Sequence, residues 1–230
     1  MNISIMQPYL FPWVGYFQLI AQSDTFVLYD DASFIKQGYI NRNSILSDGQ
    51  VQRFTVPVPG ASIHKRIGEL CFSSEVGKIL KMLKQSYSKA KYFQDVMPMI
   101  ESVFILRDRD ITACCETAIN GIFEYLGKEK NIIRSSSLDY DRSQNAENKV
   151  LDICRALMAT KYVNSIGGRQ LYNSENFAAK GVVLKFLQTK MISYYQGCYD
   201  FVPNLSIIDV LMHCDPKTVK HIFNSFDYVD

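Results

Sequence analysis

The order of sequence patterns predicts an α/β protein built on a mainly parallel central sheet. Three observations carry this. The chain opens strand–helix–strand, it closes with strands and helices in alternation, and three consecutive helical patterns lie between. The reading is a Rossmann-like domain spanning 1–230, with a helical insertion or subdomain at about 74–126.

Asn2–Met6 is a short apolar run stopped by Gln7-Pro8, so it reads as a buried strand. Trp13 to Gln22 reads as a helix, with Phe17, Leu19 and Ile20 available to pack. Asp24 turns the chain into TFVLYD, a β-branched and aromatic strand over Thr25–Asp30. A helical crossover of this length between two buried strands implies a right-handed βαβ unit. The polar, aromatic stretch that follows ends in Asp48-Gly49, a hairpin turn signal. VQRFTVPVPG then alternates as a strand, and Pro57 and Pro59 keep its end out of a central ladder.

Val76, Ile79, Leu80, Leu83 and Tyr87 put one apolar face on a helix over Ser74–Ala90, with Ser73 or Ser74 as cap. Tyr92–Leu106 and Asp110–Leu126 repeat the pattern, and Gly127 suits the residue after a helix end. Asn131–Arg134 is a short strand before the polar loop SSSLDYDRS. Asn145–Met158 is amphipathic. Lys161–Asn164 is a strand that runs into SIGGRQLY. Ser174–Lys180 is a short helix, and VVLKFL after Gly181 is a strand. The tail holds two short helices broken at Asp215-Pro216.

Composition narrows the function classes. At 230 residues the chain can bury roughly 70–75% of its unfolded surface and needs no metal or disulfide to hold a core. Twenty-five basic against 23 acidic residues is a poor basis for sequence-independent nucleic-acid binding, which rests on a basic surplus. Six cysteines (Cys71, Cys114, Cys115, Cys154, Cys198, Cys214) show no regular spacing and read as reduced thiols. The three histidines lie in no ligand spacing, so no metal site is expected. No apolar run reaches the roughly 20 residues that span a bilayer, and no targeting signal is visible, so a soluble cytoplasmic protein is the expectation. No phosphate-loop, dinucleotide or hydrolase-elbow motif occurs, so the chain carries no cofactor signature.

In open parallel sheets ligands bind outside the carboxyl ends of the strands. That rule points to four loops, Gln7–Trp13, Asp30–Asn43, Ser135–Ser137 and Ser165–Tyr172, where the uncommon polar and aromatic residues gather. The first loop offers Gln7, Tyr9, Trp13 and Tyr16, stiffened by Pro8 and Pro12. Its aromatics are either a packed turn or a ligand wall. The second loop carries Asp30, Asp31, Lys36, Tyr39, Asn41, Arg42 and Asn43. Its carboxylates suit a sugar diol, a metal, an amine or acid–base work, and its cations suit phosphate. The late loop offers Gly167, Gly168, Arg169 and Tyr172, a combination that exposes backbone N–H groups beside a charge. His64 is a further candidate base, although a lone histidine is as readily a surface residue. The 29 aromatics are unevenly spread. Nine fall within the 31 residues from Tyr9 to Tyr39, where an even spread would place about four. Phe17 and Phe26 are assigned to the core; Trp13, Tyr16 and Tyr39 are assigned to a ligand wall.

QPYLFPWVGYF, DDASFIKQGYINRN, FTVPV, LDICRALMATKYVNSIGGRQLY and FVPNLSIID, in this order, resemble the WbqC-like family over nearly the whole chain. The resemblance implies a role in bacterial surface-polysaccharide (O-antigen, lipopolysaccharide) biosynthesis. It implies transfer of an amino acid such as glycine onto a nucleotide-linked amino sugar, with an aminoacyl-tRNA or a carrier protein among the donors. A non-catalytic nucleotide-sugar-binding or scaffold role in the same pathway is the alternative. FPWVGY is also similar in position to the HxGH motif of nucleotidyltransferases and pantothenate-synthetase-like ligases, with Trp13 and Tyr16 where the two histidines would stand. That similarity would imply carboxylate activation with ATP and Mg²⁺. Lys36, Arg42 and Arg169 would then hold phosphates, and Asp30 or Asp31 would orient the acceptor amine.

Overall fold

The computed structural model describes residues 1–197 and 200–229. Cys198 therefore lies outside the described residues.

Eight strands and eight α-helices are present among those residues. Strands β1 (Asn2–Met6), β2 (Thr25–Leu28), β5 (Asn131–Arg134), β6 (Lys161–Ser165), β7 (Val183–Thr189) and β8 (Phe226–Val229) form one sheet in the order β5-β2-β1-β6-β7-β8. Every pairing is parallel except β7 with β8. The mixed α/β architecture and its mainly parallel sheet are those expected from the sequence. Strands β3 (Arg42–Ser47) and β4 (Gln50–Thr55) form a separate antiparallel ribbon. Asp48 and Gly49 close it, both with positive φ, as a two-residue hairpin turn requires.

The sheet is buried on both faces. On one face α1 (Val14–Gln22) shares a core with α2 (Gly77–Tyr87), α3 (Phe93–Phe104), α4 (Ile111–Tyr125), α7 (Ile207–His213) and α8 (Pro216–Phe223). On the other, α5 (Ala146–Ala156) and α6 (Ser174–Ala179) cover Ile3, Ile5, Val27 and Tyr162. The expected helical stretch at 74–126 is thus α2–α4, and it packs into the same core as α1. The chain leaves β1 toward β2 and later crosses back from β5 to β6. The order therefore reverses between β1 and β6, and the loops after those strands diverge.

Local chemistry sets the helix ends. Asp110, Asn145, Asn173, Ser206 and Asp215 cap their helices through side-chain oxygens. Helix α2 has no side-chain cap; Ser73 instead accepts the Glu75 N–H in the turn before it. Gly127 takes φ +63° after α4, in the left-handed conformation that ends helices.

Three segments differ from the sequence reading. Arg42–Ser47 is a strand, because the partner that completes it, Gln50–Thr55, lies beyond the turn. Ile166–Leu171 is a 3-10 helix, not an open loop. Phe226–Val229 is an edge strand that its mixed, part-exposed composition does not announce.

The five described cysteines are free thiols. Cys114, Cys115, Cys154 and Cys214 are buried, and burial pushes Cys114 up to about 11 and Cys154 and Cys214 to about 12. Cys71 is exposed. Among the described residues no helix is long and apolar enough to cross a membrane.

Phe17 joins the two ends of the chain. It has no exposed surface and stacks on Phe223 at 5.4 Å and against Phe123 at 6.3 Å. Phe17→Ala should cost about 3–5 kcal/mol, read as a lowered urea midpoint.

Candidate functional site

The loop after β1 carries an unusual backbone. Phe11 is a bulky residue at φ +47°, a conformation that persists only when surrounding contacts impose it. Its carbonyl accepts from two directions, from Asn43 Nδ2 on β3 and from Ser206 Oγ at 2.7 Å, at the start of α7. Backbone bonds tighten the same junction: Leu10 N to Ile40 O at 3.1 Å, Ile207 N to Pro12 O at 2.9 Å and Ser206 N to Ser44 O at 2.8 Å. Three distant segments are thereby fixed on one another, with Phe11 itself fully buried.

An open-mouthed cavity of about 360 Å³ lies beside this junction. It is lined by Tyr9, Pro12, Trp13, Tyr39, Asn43 and Asn204. Tyr9 and Trp13 come from the loop at the carboxyl end of β1, and Tyr39 comes from the loop after β2. Tyr9 and Tyr39 rings stand 6.4 Å apart. The Trp13 indole is folded onto Gly15: a Cβ built there would lie 2.4 Å from a ring carbon. Gly15 is thus the residue that lets the indole lie against α1. Asn204 enters with φ +60°, a conformation asparagine tolerates better than most residues.

Polar groups edge the cavity. Tyr9 OH donates to Gln7 Oε1 at 3.3 Å. Burial, and then the neighbouring Tyr39, raise the Tyr9 hydroxyl, which stays a neutral donor at physiological pH. The Asn43 amide is committed: it donates to Phe11 and accepts the Ser44 N–H at 2.8 Å.

Asp30 and Asp31 stand elsewhere, at the end of β2, in a closed network. Asp30 is 3% exposed. It accepts from Ser136 N at 2.9 Å, from Ser136 Oγ at 2.6 Å and from Ser135 Oγ at 3.0 Å. Asp31 faces Ser135 Oγ as well, and accepts from Tyr140 OH and Arg142 Nε, both at 2.7 Å. Burial, and then the bond to Asp31, push the Tyr140 hydroxyl far above its ordinary range. The Arg142 guanidinium lies 4.3 Å from the Tyr140 ring centre and donates to the carbonyls of Ser135, Ser136 and Leu138. Five donors therefore already serve the two carboxylates, which join β2 to the loop after β5.

The remaining candidates disperse. Tyr16 is 2% exposed; it lies in the core, with its hydroxyl on Gln7 O at 2.8 Å, not on the cavity wall. Asn41 donates to Val56 O at 2.8 Å and Arg42 to Gly38 O at 2.6 Å, so both brace the base of the ribbon. Lys36 and His64 are exposed on separate loops, and the His64 N–H rests on Ser62 Oγ. Gly167, Gly168 and Arg169 follow β6. Gly168 is buried against Asn164, and Arg169 is exposed. Tyr172 packs edge-on to Tyr162 and Phe177 at 5.6 and 5.7 Å. Sequence reasoning thus assembles Tyr9, Trp13, Tyr39 and Asn43, with Gln7 behind Tyr9. It misses Asn204 and Ser206, whose signal is the polar pair inside FVPNLSIID, and Tyr140 and Arg142, while Ser135 and Ser136 lie in the loop Ser135–Ser137 to which the sheet rule points.

The fold and the cavity define an α/β protein with an aromatic-lined cavity over the carboxyl end of its parallel sheet. Residues 7–221 match the WbqC-like protein family, and the chain belongs to that family. It is similar to the uncharacterized protein Rv1507c of Mycobacterium tuberculosis, with 28% identity over 226 residues, 96% of this chain and 97% of that one. No solved structure matches the chain.

Two substitutions test this geometry. Gly15→Ala should drive the indole off α1 and shift the emission of Trp13, the sole tryptophan, to the red. Asn43→Ala removes both amide bonds at the Phe11 junction and should cost about 1–3 kcal/mol in chemical denaturation.

Proposed function

We propose that this protein holds a nucleotide-linked amino sugar in the aromatic cavity and transfers an amino acid, such as glycine, onto its amine. The step belongs to surface-polysaccharide biosynthesis, the role that membership of the WbqC-like family suggests. The observation that carries the reading is the convergence of Tyr9 and Trp13 from one loop, Tyr39 from a second and Asn204 from a third on one cavity of about 360 Å³. Aromatic faces flanked by amides suit a sugar ring, whose C–H faces are apolar and whose rim is polar. The volume lies within the range of small-molecule sites.

Amide formation needs an activated acyl group, because a free carboxylate does not react with an amine at a useful rate. The sugar amine attacks the acyl carbonyl, the leaving group departs with the bonding pair, and the amine gives up a proton. Holding the two reactants together supplies much of the acceleration. Asp30 and Asp31 are fully engaged with Ser135, Ser136, Tyr140 and Arg142. That observation favours a second reading, a protein that binds the nucleotide sugar and leaves the chemistry to another.

Trp13 provides the test, since it lines the cavity and no other tryptophan obscures it. Titration with UDP- and dTDP-linked amino sugars should change its emission saturably. Tyr39→Ala should weaken binding about five-fold, the loss of about 1 kcal/mol of ring contact. Incubation with an amino sugar and glycine supplied with ATP, on tRNA or on a carrier protein should add one glycyl mass to the sugar. Saturable binding without any mass gain would leave the second reading standing, and absence of binding would end both.

A further inference from the structure

A second cavity, of about 530 Å³, lies at the other end of the β3–β4 ribbon, between its turn, the end of α2, the end of α7 and residues 195–197. We infer that it is a nucleoside-phosphate site, with Lys89, Lys91 and His213 on the phosphates and Tyr195 on the base. The inference rests on this cavity and not on the aromatic one.

The lining divides by chemistry. Lys89 and Lys91 are exposed at one wall, and His213 stands at another. Neither ring nitrogen of His213 has a hydrogen-bond partner among the described residues. Its ring is held edge-on against Tyr87 at 5.9 Å. An imidazole positioned by packing, with its polar atoms free, is equipped to meet a ligand. Tyr195 is 75% exposed and its ring stacks on no other among the described residues, so its face is open to a base. Asp48, at the ribbon turn, is an acceptor of the kind that takes sugar hydroxyls.

The floor explains why the site is not simply acidic. Asp209 has no exposed surface, and every donor it meets is neutral: Tyr87 OH, Tyr194 OH and Gln196 Nε2, each at 2.8 Å. These bonds hold its charge below the cavity. The charged groups around His213 are Asp209, which acts on it, and Asp48, Lys89 and Lys91, which line the same cavity, the Lys91 ammonium lying 5.1 Å from the Tyr92 ring centre. Burial lowers the imidazole below its ordinary range against the pull of Asp209, so the resting ring is neutral at physiological pH. A phosphate placed against it favours the imidazolium and supplies the counter-charge.

Calorimetric titration of the intact protein with ATP, inorganic pyrophosphate and adenosine tests this. ATP should bind saturably, pyrophosphate more weakly and adenosine most weakly. Lys89→Ala with Lys91→Ala should weaken ATP at least ten-fold, and these exposed positions leave folding, followed by thermal melting, intact. Tyr195→Ala should weaken ATP and spare pyrophosphate, and His213→Gln should weaken both. Trp13→Ala should change none of these. No saturable ATP binding, or binding indifferent to the lysine pair and His213, would overturn the inference. So would ATP binding lost in Trp13→Ala, which would put the nucleotide in the aromatic cavity.

Discussion

Much of this structure turns on the Phe11 carbonyl. A phenylalanine in the left-handed region is costly, on the order of 1–3 kcal/mol, and survives only where neighbours impose it. Asn43 and Ser206 do so by aiming two donors at the oxygen that this conformation presents. The aromatic cavity is built from the residues next to that clamp. Pro12 and Trp13 follow Phe11, Asn43 is one of the two donors, and Asn204 stands two residues before the other. The wall is therefore rigid, although its members come from three parts of the sequence. Rigid supporting bonds are what allow aromatic side chains to stand part-exposed and still hold a defined geometry.

The buried carboxylates follow a different logic. Asp30 and Asp31 tie the end of β2 to the loop after β5, and Asp209 ties α7 to the end of α2 and to the segment 190–205. A buried charge is tolerated only with its bonds made, and here each is made. Such groups serve position more than proton transfer. In this family member the carboxylates that look most reactive in the sequence, Asp30 and Asp31, form its framework, and the aromatic residues Tyr9, Trp13 and Tyr39 stand part-exposed at the cavity.

That division sets how much could be read from the sequence. Periodicity finds β1, α1, β2 and the helices of the middle, because each needs an apolar face of its own. It misses Arg42–Ser47, whose strand character depends on a partner across the Asp48-Gly49 turn, and Phe226–Val229, which is only an edge. The clustering of aromatics between Tyr9 and Tyr39 points to the end of the sheet where Tyr9, Trp13 and Tyr39 line the cavity. It cannot separate Tyr16 from Trp13, since both belong to the entrance of one helix. The separation comes from three dimensions: Tyr16 turns under the loop to reach Gln7 O, and Trp13 folds outward onto Gly15. Asn204 and Ser206 are illegible for the same reason. Their role is fixed by Phe11, almost 200 residues away in the chain.

The two cavities border the same strand. Asn43 lines one and Leu46 the other, three positions apart on β3, about 10 Å. The segment 190–205 gives Tyr195 to the second cavity and Asn204 to the first. Between these, Gln196 binds Asp209, donates to Val202 O at 3.0 Å and accepts from Val202 N at 2.7 Å. A ligand that draws on Tyr195 acts on a residue adjacent to that clasp, and the clasp ends two residues from Asn204. The Gln196 clasp closes on Asp209 within α7, and the Phe11 clamp closes on Ser206, the residue that caps α7, so the two cavities are framed from one helix.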